Sequence, residues 1–299
     1  MQAPFPVLKF LRIYLVFEAA YVPVLPTTFL GGYAPCLQEA TLSRIPSPAL
    51  LPTLLFASDL ATFILSFIPR TGFISPETLV VGLATLPRLK CFIIGFLSTT
   101  PSCDQMSPPL AARALLPSLT SFQFRRNSEY LENLVAQIDS PLLDQILIVY
   151  LDQPANFRIN EFSKFITHSV GSHLALFKHA EVTVFKDMSP MTFDMSPSSD
   201  HQFPHQNSAG MRISREGNSR RVPRLAQVLS QLSAALTKVD HLNLTTKLFA
   251  RLASTTIGGW RYDTRWTSDV EWPRLLHQFP TPETLLVSWD LAEFIASAL

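Results

Sequence analysis

The sequence predicts an α/β protein built from repeated strand-helix units. Three observations lead to this fold class: an apolar pattern of the form L-x-x-L-x-L recurs along the chain, amphipathic helical segments follow several copies, and proline precedes most of them. The clearest unit is an alternating strand pattern at 119–124 followed by 128–138, where apolar residues from Leu131 to Ile138 share one helical face.

The pattern recurs at a nearly constant spacing in the first half of the chain. Its copies begin at Leu8, Leu37, Leu60, Leu89, Leu119 and Leu143, and weaker copies begin at Phe177 and Val239. The first six copies are 23 to 30 residues apart, close to the period of about 20–29 residues that is typical of leucine-rich repeats. The sequence therefore predicts a leucine-rich-repeat-like solenoid with one parallel sheet, irregular in its C-terminal half.

The connectors predict where strands and helices begin. Proline two residues before the first apolar position, as at Pro117, removes an amide donor and predicts an extended segment that leads into a strand. The sequence S-P-E at 75–77 predicts an N-cap, a proline at the first helical position and an acid in the first turn, so a helix through Ala84. Ser128 is the predicted cap of the helix in the clearest unit.

Apolar periodicity predicts the remaining helices. Phe162, Phe165 and Ile166 indicate a helix that begins near Asn160. Helices are also predicted over 224–236, 272–279 and 291–298, with a strand at 285–287.

The domain organisation follows from where the period weakens. Residues 1–185 are predicted to form the leucine-rich-repeat-like solenoid, and 223–299 to form C-terminal repeats and a capping helix of the same solenoid. Between them, 186–222 is predicted to be a hairpin-like insertion, because 191–195 and 211–215 alternate like strands. The polar segment that joins those two strands predicts a mobile loop.

Composition limits the classes of partner. The chain has 299 residues, 47% of them hydrophobic, so it can bury a sizeable core. Only 16% are charged and the net charge is +1, which argues against nucleic acid and anionic membrane as partners. The longest apolar stretches, 50–68 and 79–97, contain prolines and charged residues, so no membrane span is predicted.

The N-terminus and the cysteines bear on localisation. The segment 10–17 has the length of a short signal peptide, but Arg12 interrupts it and no good cleavage site follows. Three scattered cysteines without a C-x-x-C pair suit a reducing compartment. We therefore expect a cytoplasmic or nuclear protein.

No motif indicates catalysis. The chain has no glycine-rich phosphate loop, no G-x-S-x-G elbow and no H-E-x-x-H. His201 and His205 are separated by Pro204 within a polar loop, so we expect no metal site there. The sequence thus predicts neither an enzyme nor a cofactor. A basic cluster from Arg212 to Arg224 is compatible with an acidic partner, with nuclear import or with a solvated loop.

Stacked strand-helix units leave one face of their sheet outward. In each copy the fourth and sixth positions should point into the core, and the residues between and beside them outward. The candidate partner-binding residues on this face are Arg12, Tyr14, Thr41, Ile64, Ile93, Gln123, Arg125, Leu147 and Asn243. Ile64, Ile93 and Leu147 form an apolar column that could anchor a protein; alternatively, such residues simply suit a sheet surface.

Several sequence segments are more specific than a generic repeat. They are VLPTTFLGG at 24–32, GFISPE at 72–77, LPSLTSFQF at 116–124, SEYLENLVAQIDSPLL at 128–143, HAEV at 179–182, LAQV at 225–228 and the segment 271–279. Together they resemble a large family of basidiomycete fungal F-box proteins with leucine-rich-repeat-like C-terminal regions. That resemblance implies an adaptor, in which an N-terminal F-box recruits a cullin-type ubiquitin ligase and the repeats hold a protein substrate.

The chain departs from this family at its N-terminus. The sequence begins inside a repeat, at Phe5-Pro6-Val7-Leu8, with no preceding helical bundle. We therefore expect a non-catalytic protein-interaction module that lacks the F-box, so that a ligase scaffold is a partner only of a longer form. The alternative is a truncated or vestigial structural repeat protein without ligase recruitment.

Overall fold

Parallel strand pairs predominate in a computed structural model of the protein, which has an α/β architecture. The structure describes residues 5–15, 34–46, 57–97, 113–151, 159–169, 178–185, 191–196, 210–216, 221–232, 236–247, 272–280 and 282–297. Of the strand pairs with a defined register in these segments, most are parallel and only those of the hairpin region are antiparallel. The prediction of an α/β protein is therefore confirmed, and the sheet, predicted to be parallel, is mostly parallel.

The described strands and helices are numbered in chain order. The strands are β1 (Phe10–Tyr14), β2 (Glu39–Ser43), β3 (Thr62–Ile68), β4 (Cys91–Phe96), β5 (Ala114–Leu115), β6 (Ser121–Arg126), β7 (Ile138–Asp139), β8 (Gln145–Leu151), β9 (His179–Phe185), β10 (Met191–Ser196), β11 (Gly210–Glu216), β12 (His241–Lys247) and β13 (Thr284–Val287). The helices are α1 (Pro76–Leu83), α2 (Ser128–Val135), α3 (Asn160–Ser169), α4 (Arg221–Gln231), α5 (Trp272–Leu276) and α6 (Trp289–Ala296).

The chain forms two compact units. The first comprises Met1–Ile146 with Asn160–Val170, and the second comprises Leu147–Ile159 with Gly171–Leu299. In the first unit the strand order is β1-β2-β3-β4-β6, followed by the start of β8. In the second unit the order is β11-β10-β9-β12-β13, where β10 runs antiparallel to both of its neighbours.

Each predicted repeat strand is present, and each begins at the third position of its copy. The predicted hairpin strands also pair, with Met191 opposite Arg215 and Met195 opposite Met211. Because β10 also pairs with β9, this hairpin is part of the sheet of the second unit. The polar segment predicted to be a mobile loop, with His201 and His205, lies outside the described residues.

Successive repeats are joined in one recurring way. In most described copies of the L-x-x-L-x-L pattern, the backbone amides of the second and third residues both donate to one carbonyl oxygen. That carbonyl belongs to the second residue of the preceding copy. In the first unit the accepting residues are Lys9, Gln38, Ala61, Lys90 and Thr120, at 2.8–3.0 Å. In the second unit they are Lys178 and Asp240. Third positions consequently pair with third positions, as Phe10 does with Glu39 and Cys91 with Ser121.

A tight turn precedes seven of the described repeat strands, β1, β2, β3, β4, β6, β8 and β12, and corrects the prediction made from the prolines. The amide of the first position donates to the carbonyl three residues earlier, for example Leu119 to Leu116 and Leu143 to Ser140. Pro117 and Pro141 therefore occupy the second residue of a four-residue turn instead of an extended segment. Proline suits that position because its fixed φ matches the turn and its missing amide donor is not needed there.

Stacked phenylalanines form the centre of the first unit's core. Phe63, Phe92 and Phe122 occupy the fourth position of adjacent strands and are completely buried. The ring centroids are 5.8 and 6.0 Å apart, with interplanar angles of 23° and 17°. Phe165 of α3 then meets Phe122 edge-on at 6.4 Å. Aromatic pairs at such distances add to the stabilisation that burial provides.

Helix α1 begins as predicted, whereas α2 differs at both ends. The Ser75 side chain accepts the Thr78 amide at the start of α1. The cap of α2 is Asn127 and not Ser128, because the Asn127 side chain accepts the Tyr130 amide at 3.4 Å. The helix ends at Val135, and Ile138 lies in β7, where it pairs with Ala114 of β5.

A carboxylate of the neighbouring helix α2 caps the N-terminus of α3. The Glu132 side chain of α2 accepts the amides of Glu161 and Phe162 at 2.7 and 2.8 Å. Burial raises the pKa of Glu132, and these two hydrogen bonds oppose that rise. The contact satisfies two amides that a helix N-terminus otherwise leaves without partners. It therefore fixes α3 against α2, and the predicted inward residues Phe162, Phe165 and Ile166 are buried.

Truncation of Phe92 tests the stacked core. Phe92→Ala should lower the free energy of unfolding by about 3–5 kcal/mol, because it opens a cavity between two buried rings. Phe10→Ala is the matched control, since Phe10 is 60% exposed, and it should change stability by less than about 0.5 kcal/mol. Urea denaturation measures both. Equal stability of the two variants would contradict the assignment of Phe92 to the core.

Candidate partner-binding face

The repeat strands alternate between core and surface as predicted. From β2 to β6 the fourth and sixth positions are at most 1% exposed, and most of the intervening residues are half-buried. The register aligns the fifth positions into a central row of Arg12, Thr41, Ile64, Ile93 and Gln123. Five of the nine predicted partner-binding residues are therefore neighbours on one face of the first unit.

The centre of this row is apolar. Ile64 and Ile93 pair across β3 and β4 and are both half-buried, so part of each side chain remains accessible. Thr41, in contrast, is only 4% exposed, and its hydroxyl donates to Glu39 at 3.4 Å. Thr41 therefore offers a partner almost no accessible area, although it lies in the predicted row.

Arg12 and Glu39 form a two-point ion pair. Arg12 Nε donates to Glu39 Oε1 at 2.7 Å, and Nη2 donates to Oε2 at 3.0 Å. The hydrogen bonds from Arg12 lower the pKa of the Glu39 carboxyl. Arg12 therefore connects β1 to β2, and its side chain remains more than half exposed.

The other predicted residues lie outside the central row. Tyr14 is 56% exposed next to Ser43, and Arg125 lies beside Gly95. Leu147 and Asn243 belong to the second unit. Asn243 lies in the register of β12 between Glu181 of β9 and Leu286 of β13.

Two residues on the face were missed by the sequence prediction. In β4 and β6 a single residue separates the sixth position from the next large buried side chain, Phe96 or Arg126, whereas in β2 and β3 two residues precede Ile45 and Ile68. Each extra residue adopts a left-handed backbone: φ is 62° at Arg44 and 53° at Phe67. The register between β3 and β4 shifts at the second insertion. Such bulges turn a side chain out of its regular alternation.

The two inserted residues meet a third on the outward face. The guanidinium carbons of Arg44 and Arg125 lie 5.6 and 5.4 Å from the centroid of the Phe67 ring, within the range of cation–π attraction. A Cβ built at Gly95 would lie 3.2 Å from the Arg125 Cβ and 4.0 Å from its Cδ. The missing side chain at Gly95 thus leaves room for Arg125. We call these residues the Arg44–Phe67–Arg125 cluster.

The sequence contained a signal for this cluster. Residues 42–45 read L-S-R-I and 65–68 read L-S-F-I, so the two strands share an L-S-x-I ending that 94–96 lacks. The last isoleucine of each is buried, at 4% and 3% exposure. Comparing the distance from the sixth position to this isoleucine would have identified both insertions.

Three observations on the described residues concern metal binding, the Cys91 thiol and a surface depression. Among them, no group of three or more His, Cys, Asp or Glu side chains is arranged to hold a metal ion. Burial raises the pKa of the Cys91 thiol on this face, which disfavours the nucleophilic thiolate. A shallow depression at the N-terminal ends of the strands contains the Asp59–Arg88 ion pair, whose atoms are 2.8 Å apart.

Two further observations concern partners and relatives. No helix within the described segments has both the length and the apolar character needed to cross a bilayer. Comparisons with protein-family models, with curated proteins and with solved structures find no match to this chain. The resemblance to F-box proteins accordingly stays a prediction.

The Arg12–Glu39 pair makes a pH-dependent contribution to stability. Because the folded-state pKa of Glu39 is lowered, the contribution is present above the pKa of the unfolded state and is lost as the pH falls through the folded-state pKa. Arg12→Gln should lower the melting temperature by about one to two degrees at pH 7 and by nothing at acid pH. Thermal melting across this pH range measures the difference.

Glu39→Gln supplies the control for this pair. Adding it to Arg12→Gln should cause little further loss, since the contact is already broken. A wild-type advantage over Arg12→Gln that persists below the pKa of Glu39 would contradict the ion-pair explanation.

Proposed function

We propose that this protein is a non-catalytic protein-binding module whose partner docks on the outward face of the first unit's sheet. The observation that carries this proposal is the registered row with Ile64 and Ile93 at its centre and polar side chains at its ends. An accessible apolar centre with a polar rim is the usual composition of a protein–protein interface.

The recurring connection between strands supports a repeat solenoid as the scaffold of this face. Each copy contributes one strand, and the same pair of amides joins it to the copy before. A unit of this kind cannot bury both its strand and its helix alone, so neighbouring copies share a core. Stacking then extends the outward face by one strand per repeat, which gives a surface wide enough for a protein.

The adaptor role rests on the sequence resemblance. By that resemblance the repeats would hold a substrate protein, and an F-box supplied by a longer form would recruit a cullin-type ubiquitin ligase. The outward row is compatible with the substrate-holding role, because four of its five side chains keep accessible area. The vestigial alternative predicts instead that the face captures no partner.

Site-specific photo-crosslinking tests the binding face. A benzoylphenylalanine at position 93 should crosslink reproducibly to a defined protein in a fungal lysate. The same probe at Val81 is the control, because Val81 is 56% exposed on α1 and lies outside the face. Ile64→Glu should reduce crosslinking at position 93 by about tenfold or more, since it puts a charge in the apolar centre. Equal crosslinking at both positions would count against the docking face.

Ligase recruitment requires a separate experiment. Purified cullin-type ligase components should be retained by a form extended upstream with an F-box and not by the 299-residue chain. Pull-down of both forms under the same conditions measures this difference. If neither form retains any ligase component, the adaptor role is wrong even where the binding face is correct.

A further inference from the structure

Strands β1 and β13 each have one backbone edge without a described neighbour. Within the described segments β1 pairs only with β2, and β13 pairs only with β12. β1 begins the strand order of the first unit, and β13 ends that of the second. The unpaired amides and carbonyl oxygens of such an edge can accept a further strand.

Strand β13 is joined to β12 in the way that the repeat strands are joined. The amides of Glu283 and Thr284 both donate to the Asp240 carbonyl, at 2.7 and 3.0 Å. Glu283 and Thr284 therefore take the second and third positions of a further copy. The Glu283 carbonyl is the equivalent of the Lys9 carbonyl, which accepts two amides from the strand that follows it. A strand placed after β13 would find the same acceptor in place.

The two open edges are complementary in hydrogen-bonding direction. The backbone groups of successive residues in a strand point alternately to its two neighbours. Leu15, the eighth residue of its copy, donates to Ser43 of the following strand, and Ser288, the seventh of its copy, donates to Leu244 of the preceding strand. The open groups of β1 are consequently at odd positions, which face a preceding strand, and those of β13 at even positions, which face a following one. Each edge supplies the neighbour that the other lacks.

The core-facing side chains of both strands are incompletely covered. At the fourth and sixth positions of β2, β3, β4, β6 and β12 the side chains are at most 1% exposed. Leu11 and Ile13 of β1 are only half-buried, as are Leu285 and Val287 of β13. A strand on the open side would cover these apolar side chains, as a neighbouring strand does inside the sheet.

Exposed apolar side chains surround the open edge of β1. Val7 is 82% exposed, and Phe5, Phe10 and Tyr14 are each at least half exposed. On β13, Leu286 is 54% exposed. Because the end repeats of a stacked fold normally present a polar outer face, apolar residues concentrated there indicate a surface that a neighbour covers.

The side chains at the second positions extend the match to charge. In the second unit Lys178 and Asp240 occupy the second positions of adjacent strands, and Lys178 Nζ lies 3.3 Å from Asp240 Oδ2. Glu283 has the next second position after Asp240, and Lys9 has the second position at the open edge of β1; both are exposed. A β1 strand beside β13 in the repeat register would bring Lys9 next to Glu283, as Lys178 lies next to Asp240.

We propose that β1 of one copy of this chain pairs in parallel with β13 of a second copy, so that chains associate head to tail. The Glu283 carbonyl of one copy accepts the amides of Lys9 and Phe10 of the other, and the half-buried core residues of the two strands cover each other. The contact joins two different surfaces, so it leaves an open edge at each end of the assembly. The inference goes beyond the proposed function and does not depend on a partner at the outward row.

Sedimentation velocity of the purified 299-residue chain tests this association. One strand pair with its flanking side chains is a small interface, so we expect a dissociation constant of about 10–100 µM. The weight-average mass should therefore rise across this range of concentration. A chain that stays monomeric at the top of the range would overturn the inference.

Charge exchange tests which strands meet. Lys9→Glu and Glu283→Lys should each weaken association by about threefold to tenfold, because each puts like charges side by side. An equimolar mixture of the two single variants should associate about as well as the wild type, since every contact between unlike chains then has opposite charges. Lys90→Glu is the matched control, because Lys90 is an exposed second position on β4, which has a strand on both sides. It should change association by less than about twofold.

The outcomes separate this contact from other forms of self-association. If Lys9→Glu changes association and Glu283→Lys does not, β1 pairs with another β1 and the head-to-tail contact is wrong. Equal effects of Lys9→Glu and Lys90→Glu, or no recovery in the mixture, would also overturn it. Thermal melting provides the check on folding: the three substituted side chains are exposed, so each variant should melt within a few degrees of the wild type.

Discussion

The structure depends on a carbonyl oxygen that accepts two amides at the start of most of the described repeat strands. Lys9, Gln38, Ala61, Lys90 and Thr120 each provide one in the first unit, and Lys178 and Asp240 do so in the second. A strand pairing that slipped by one residue would break both hydrogen bonds and also turn the whole strand over. The contact therefore accompanies one register, which the buried side chains and the turns before the strands specify. Long-range order in the sheet results from a local interaction repeated from strand to strand.

Core and surface follow from the same constraint. With third positions paired to third positions, the fourth positions align, and Phe63, Phe92 and Phe122 stack. The fifth positions align equally well on the opposite side, which creates the row that contains Ile64 and Ile93. The register that aligns the buried fourth positions therefore also aligns the outward fifth positions that follow them.

The sequence was informative where the chemistry is local and repeated. The apolar period placed the strands, and the Ser75 cap and α1 were correct because one short phrase contains all of their determinants. The end of α2 was missed because Ile138 suits a helical face and a buried strand equally, and only pairing with β5 decides between them. The burial of Thr41 was also missed, since strand alternation alone marks a fifth position as outward and gives no account of neighbouring side chains such as Glu39, which the Thr41 hydroxyl contacts.

The bulges at Arg44 and Phe67 show why the face was harder to predict than the fold. A pattern search rewards regular copies, so it passes over the two strands that carry an extra residue. Yet the insertions follow the sixth position, where the shared carbonyl acceptors have already fixed the register upstream. At that place an added residue shifts only the strand ends and leaves the stacked core unchanged. The repeat can therefore vary its outward surface at the C-terminal ends of the strands while its core stays regular.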